Sequence, residues 1–416
     1  MRESKTREFK ESTDSNTFLK TVSAYANYGT GKILFGVKDN GEVIGIEDPI
    51  NAVMNLENKI NDSIDPNPDY TLEIDKKTSV ITLTVKEGLH KPYFYRSKAY
   101  RRNDSATIEV DRLELSRLIL EGSNRGYEDL PASNQNLTFR LFENKLKEKM
   151  NIDSLSIDVL KTLQLYSDSE GYNKAAELLA DKNGFMGIDI ARFGSDINIF
   201  LDRETFDDCS ILEMYDQAIK VYRRFYQYEK IEGFSRNIHE LIPEEAFRET
   251  IANALLHRTW DVKTHITVSM YDDRIEVVSL GGLPRSLSER EFLDGGVSVL
   301  RNPIIGNVMF RLQMIERFGT GIRRIVESYK ESERKPVFVV EENSIRVTLP
   351  IFEEKLDLPE DDRIIYRLLK GKLMSSSEIV SNTGFGKTKT VKILNGMIAK
   401  GYVKSEGTGR GKKYTS

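Results

Sequence analysis

Two breaker-rich polar stretches, GSNRGYEDLPASNQNL at 122–137 and EKLDLPEDD at 354–362, restrict this chain more than any other feature. Clusters of Gly, Pro, Asn, Ser and Asp interrupt hydrophobic periodicity and leave backbone groups that solvent satisfies best, so neither stretch belongs inside a packed core. The chain must therefore fold in successive blocks. Its 416 residues also exceed what one ordinary core spans. Residues 1–122 are read as a first domain, 123–242 as a connector and middle α/β region without an interpretable motif, 243–352 as a third block and 357–416 as a small C-terminal unit. The fold class expected is α+β and multidomain.

Within the first block, NTFLKTVSAYANY at 16–28 carries Phe18, Leu19, Val22, Tyr25 and Ala26 at helical spacing. After GTGK, the run ILFGVKDNGEVIGI predicts two short strands joined by KDNG, where Asn40-Gly41 suits positive φ. NAVMNLENKINDSI predicts a second helix, and YTLEI with SVITLTV a second strand pair. Charged residues make up 30% and hydrophobic ones 39%, enough for cores beneath a hydrated surface. The single cysteine, Cys209, excludes an internal disulfide, and with four histidines no structural zinc spacing occurs. No apolar run approaches a membrane span, and the N-terminus is charged, so a cytoplasmic protein without membrane contact is expected.

Three stretches carry candidate chemistry. The first is RESKTREFKES at 2–12, with Glu3 and Glu8 five apart and Lys10 following, together with Asp39 in the KDNG turn and the acid-free run HKPYFYRSKAYRR at 90–102. In this order these segments resemble the Schlafen/AlbA-like domain, an α+β fold that binds nucleic acid and that, in some members, is a metal-dependent ribonuclease acting on transfer RNA. The resemblance covers about residues 3–120. It implies that Glu3, Glu8 and Asp39 hold Mg²⁺ or Mn²⁺ as a nuclease centre, with Lys10 on phosphate. Lys91, Arg96, Arg101 and Arg102, interleaved with tyrosines and Phe94, would contact phosphates while the aromatics stack on bases. The alternative for the N-terminus is an edge strand of solvated alternating charge; for the basic run it is a strand with rings inward and cations outward.

The second stretch is PEEAFRETIANALLHRTW, in which Glu249, Asn253 and His257 recur every four residues on one helical face. HITVSMYDDRIEVVSLGGLP then predicts a strand pair ending at Gly281 and Gly282, and RFGTGIRRIVES a glycine-rich entry to another helix. Glycines there permit close backbone approach to phosphate. The order resembles the divergent ATPase domain of the GHKL superfamily, an α/β sandwich. The resemblance implies ATP and Mg²⁺ as cofactors: Glu249 as the base that positions water, Asn253 on the metal, Gly319 and Gly321 at the phosphates, Gly281 and Gly282 in the same nucleotide-binding set, and residues 281–316 as lid. Ser279 stands where the superfamily carries the adenine-reading Asp. GFGKTKT at 384–390 is not a P-loop, because the motif's first glycine would fall at Ser381 and a helix precedes it.

The third stretch is the C-terminal unit. Net charge is −4 overall, yet residues 386–416 hold eight basic residues against one acid. Three predicted helices and a strand–tip–strand ending resemble a winged helix-turn-helix. Lys387, Lys389 and Lys392 would then enter a DNA groove, with Arg410, Lys412 and Lys413 in the wing. A protein contact is the other use of such a module. The whole reads as an ATP-binding, nucleic-acid-binding regulatory protein, a transcriptional regulator engaging DNA or RNA. Its rival is a Schlafen-like endonuclease on transfer RNA, other RNA or single-stranded DNA in antiphage defence. Enzymatic activity, as ATPase or nuclease, and assembly into a homo-oligomer stay open at this point.

Overall fold

Apolar residues at three- and four-residue spacing make Phe18–Tyr28 a helix, and nine of its residues are buried because sheet and loop cover it on several sides. The computed structural model describes residues 2–150, 152–232, 235–284, 287–297, 299–316, 319–353 and 358–416. Two compact units result: Met1–Ile325 with Val337–Leu349, and Val326–Pro336 with Pro350–Ser416.

In the first unit, the N-terminal sheet has Arg7–Lys10 at its edge, parallel to Gly31–Phe35, which is followed by Ile81–Val85 and then Tyr70–Ile74. Phe18 meets Phe35 edge-on at 5.3 Å, and Leu56 and Ile60 of helix Pro49–Ser63 close the core. Buried Ser23 and Asn27 are satisfied by the Tyr93 backbone, with Ser23 Oγ and Asn27 Nδ2 donating to its carbonyl at 2.7 and 2.9 Å. The hairpin expected around Asn40-Gly41 is reduced: opposite Val37 only an isolated bridge at Val43 forms. Gly36 N–H and Val37 N–H both turn back to the Lys10 carbonyl, so the chain leaves the sheet before a second strand can pair.

A six-stranded sheet follows, in the order Phe200–Phe206, Ile188–Phe193, Ile266–Met270, Arg274–Leu280, Ser344–Pro350 and Val337–Val340. Two of its strands come from the stretch that offered no motif, and Ile188–Phe193 pairs parallel with Ile266–Met270. Helix Ile211–Tyr226 joins them against helix Glu244–His257, where the Tyr222 ring stacks on Phe247 at 4.8 Å. YNKAAELLADKNG yields the six-residue helix Lys174–Leu179, capped by Asn173.

The second unit packs Glu360–Leu369, Ser376–Thr383 and Lys387–Ala399 around Ile365, Leu369, Ile379, Leu394 and Met397. Ser375 and Glu378 form a reciprocal cap, and Gly384 ends the middle helix in the left-handed region. Met374–Ser375, Lys413–Thr415 and Lys404–Glu406 form an antiparallel sheet in that order. Among the described residues no helix is long and apolar enough to cross a membrane.

Candidate functional site

Helix Glu244–His257 buries Ala246, Phe247, Ile251 and Leu255, which turns Glu249, Asn253 and His257 toward the entry of helix Gly321–Ser328. A Cβ on Gly321 would stand 2.9 Å from Glu249 Oε2 and 3.1 Å from Asn253 Nδ2, so a larger residue would push on both polar groups. Gly319 adopts φ +62°, and its carbonyl accepts the Gly296 N–H at 3.2 Å. Arg324, one turn into the helix, binds Glu249 Oε1 at 3.1 Å and approaches Glu316 at 3.6 Å. Sequence reasoning missed it; its signal was a cation three residues past the last glycine of the entry. Burial raises the Glu249 carboxyl above its ordinary range, and the Arg324 guanidinium opposes that rise. His257 is pushed down to about 4 by burial and by Arg301, so it is neutral at physiological pH.

Gly281 and Gly282 do something else. A Cβ on Gly281 would stand 2.9 Å from the His257 carbonyl, and one on Gly282 would stand 2.2 Å from the Glu342 carbonyl. Their missing side chains make room for neighbouring backbone, a packing reason for glycine at both positions. Ser279 is buried beside Asn253, Thr250 and Val277 in a cavity of about 30 Å³, and a second cavity of about 60 Å³ runs past Asn253 to Gly319 and Gly321. Leu287, Phe292, Val297 and Leu300, from the segment expected to be a lid, line that second cavity. Arg285, Ser286 and Ser298 of the segment, and Arg317 and Phe318 before Gly319, lie outside the described residues.

The donor set fits a metal triphosphate: a carboxylate, a carboxamide and a glycine-bearing helix entry converge within van der Waals reach. The two small cavities are tighter than the roughly 300 Å³ or more that such ligands occupy, but Glu249 also borders an open cleft of about 720 Å³ with Arg248, Glu316 and Arg324, which has that room.

The N-terminal carboxylates are placed differently from the expected metal cage. Glu8 is buried and clasped by Arg102 at 2.5 Å and Lys10 at 2.7 Å, and it accepts the Thr21 hydroxyl at 2.5 Å. Glu3 accepts the Phe9 N–H at 2.9 Å, while Asp39 lies exposed in its turn. Among the described residues no group of three or more His, Cys, Asp or Glu side chains could hold a metal ion. The edge-strand reading holds for position and fails for solvation, because Glu8 faces inward.

The basic run is likewise split. Lys91 is buried between Glu87 at 2.5 Å and Glu121 at 2.6 Å, and Arg102 is spent on Glu8, so neither faces phosphate. Arg101 pairs with Glu114 at 3.2 Å, and Arg96 lies over the Tyr95 ring. Tyr93, Tyr95 and Tyr100 are buried core rings, so the expected base-stacking face is absent there. In the second unit Lys387, Lys389, Lys392 and Lys413 are exposed, Lys389 pairing with Asp361 at 2.6 Å. Lys412 lies over Tyr414, and the Arg410 side chain lies outside the described residues.

Residues 3–111 match the family described as "Schlafen, AlbA_2". Residues 263–349 match the family described as "Putative ATP-dependent DNA helicase recG C-terminal". The chain thus carries a Schlafen/AlbA_2 domain and a recG C-terminal type of domain. No curated protein matches it. Among solved structures, the crystal structure of the DIP2311 protein from Corynebacterium diphtheriae is similar at 19% identity and a TM-score of 0.49, over 94% of this chain and 87% of that one.

Proposed function

We propose that this chain is a nucleic-acid-associated, ATP-binding regulatory protein in which nucleotide biases nucleic-acid engagement. The observation that carries the reading is the close approach of Gly321 to both Glu249 and Asn253. Two polar groups held against a side-chain-free helix entry suit a metal-bound phosphate better than a packing role, which would fill the gap with a methyl group. In this reading Asn253 coordinates Mg²⁺, Glu249 orients water, and Arg324 holds Glu249 until the nucleotide arrives. The matches to Schlafen/AlbA_2 and recG C-terminal families support the association of nucleotide with nucleic acid.

Calorimetric titration of the full chain with MgATP tests this. Binding is expected, with Asn253→Ala weakening it at least about tenfold, the effect of removing a hydrogen bond to a charged group. Absence of binding to the unsubstituted chain would overturn the assignment.

The C-terminal unit supports a winged helix-turn-helix reading, because three helices pack with a small antiparallel sheet whose first strand lies between the first two helices, and the third helix exposes Lys387 and Lys392. Lys392→Glu and Lys413→Glu are each expected to lower duplex affinity severalfold and to flatten its salt dependence by about one released counterion or more. Fluorescence anisotropy across a salt series measures both. Unchanged affinity and slope would instead make this face a protein contact.

A further inference from the structure

A second cleft, of about 530 Å³, opens where helix Arg112–Gly122, which follows the Schlafen/AlbA_2 match, and the turn after it meet Arg258–Asp261 and Arg301. Its size suits a small ligand, and junctions between domains are common places for one. The ionic pairing inside it is uneven. Arg117 holds Asp261 through two hydrogen bonds of 2.7 and 3.0 Å, Arg125 holds Glu170 at 2.8 Å, and Glu87 and Glu121 share Lys91. Every carboxylate lining the cleft therefore already has a cation.

Two guanidiniums do not have an acid. Arg301 donates from Nε to the His257 carbonyl at 2.9 Å and from Nη2 to the Gly282 carbonyl at 2.7 Å, leaving Nη1 without a partner among the described residues. Arg258, behind it, donates to the carbonyls of Met186, Gly187 and Thr264, and its buried Nε has no partner. Burial lowers the proton affinity of both groups; the Arg117 charge adds to this at Arg301, while Asp261 and, for Arg258, Asp207 oppose it. Neither guanidinium is in an ion pair among the described residues, and Arg258 is offset in part by the Trp260 ring at 4.2 Å; a divalent anion is a group that relieves both cations together.

We propose that this cleft binds a phosphate group, received by Nη1 of Arg301 and the open side of Arg117, with Arg258 supplying further positive charge from behind. The group is carried either by a free phosphate compound or by a nucleic-acid backbone. This site is separate from the Glu249 and Asn253 face and does not depend on ATP binding there.

The test uses the full chain with inorganic phosphate and pyrophosphate, followed by calorimetry and by the rise in melting temperature that ligand binding produces. Pyrophosphate is expected to bind the unsubstituted chain and Asn253→Ala alike. Arg301→Gln should weaken it at least about tenfold, and Arg117→Gln, on the solvent side, severalfold, while Arg301→Lys, which keeps the charge and loses the fork, falls between Arg301→Gln and the original. Displacement of pyrophosphate by a short single-stranded oligodeoxynucleotide identifies a backbone source; lack of displacement identifies a free phosphate compound. The proposal is overturned if neither probe binds, if Asn253→Ala abolishes the binding, or if both Arg→Gln variants bind as tightly as the original.

Discussion

Glu8→Ala is expected to destabilise the N-terminal domain by about 3–5 kcal/mol, the usual consequence of stripping one partner from a buried ion pair. Both side chains are nearly inaccessible, 5% for Glu8 and 4% for Arg102, and their contact is 2.5 Å. Without the carboxylate, Arg102 keeps only the Thr107 hydroxyl and the Ser4 carbonyl at 3.0 and 3.1 Å, and its charge stays in the interior. Chemical denaturation measures the loss, and a fall in midpoint without a change in slope identifies it as stability. Arg102→Ala should cost a similar amount, whereas Glu8→Leu combined with Arg102→Met should recover much of it, since the buried guanidinium is gone and the one charge that loses its partner, Lys10, reaches solvent. A midpoint unchanged in Glu8→Ala would show that the pair contributes nothing. Any loss of nucleic-acid handling in a Glu8 variant has to be separated from this effect.

The second large effect concerns Glu128. Its carboxylate is fully buried and accepts the Ile304 and Ile305 N–H groups at 2.6 and 3.1 Å, at the start of helix Pro303–Arg311. Burial nevertheless pushes its pKa up to about 7, with neighbouring Asp129 adding to the rise and the two N–H groups opposing it. The folded chain thus holds a proton here that the unfolded chain has released. Between the ordinary carboxylate range and pH 7 the folded state binds more protons, so this group makes stability fall as pH rises through that window. The swing is of order 3 kcal/mol at most, since each tenfold gain in proton affinity on folding is worth about 1.4 kcal/mol. Glu128→Gln should remove that slope between about pH 5 and 8, judged by denaturation midpoints across the range. An unchanged slope would assign the dependence to other groups.

Much of this architecture was legible because its signals are local. Phe18, Leu19, Val22 and Tyr25 announce their helix, and YTLEI and SVITLTV pair as their alternation suggests. The four-residue recurrence of Glu249 and Asn253 puts both on one helical face, and that face meets Gly321 at the entry of the later helix. What escaped is nonlocal. Glu3 and Glu8 looked like joint ligands at a spacing of five, but Arg102, ninety-four positions from Glu8, decides what Glu8 does. Lys91 looked exposed within a basic run, and its partners Glu87 and Glu121 bury it. The strand IDIARF was readable in principle, since its burial alternates along much of its length and one partner follows it directly, but its parallel partner lies beyond a long helix and a separate hairpin.

That parallel pairing has a consequence for how the protein comes into being on the ribosome. Ile188–Phe193 leaves the exit tunnel well before Ile266–Met270 exists to receive it, so the sheet waits on a large chain closure. Until then the nascent chain can pair Ile188–Phe193 only with Phe200–Phe206, which leaves one edge of the first strand open and exposes Phe200 and Leu201 even in the finished molecule. A fragment cut to begin at Pro243 would reproduce the problem from the other side, with Ile266–Met270 as a bare apolar edge, and should aggregate where a piece reaching back to Gly187 stays dispersed.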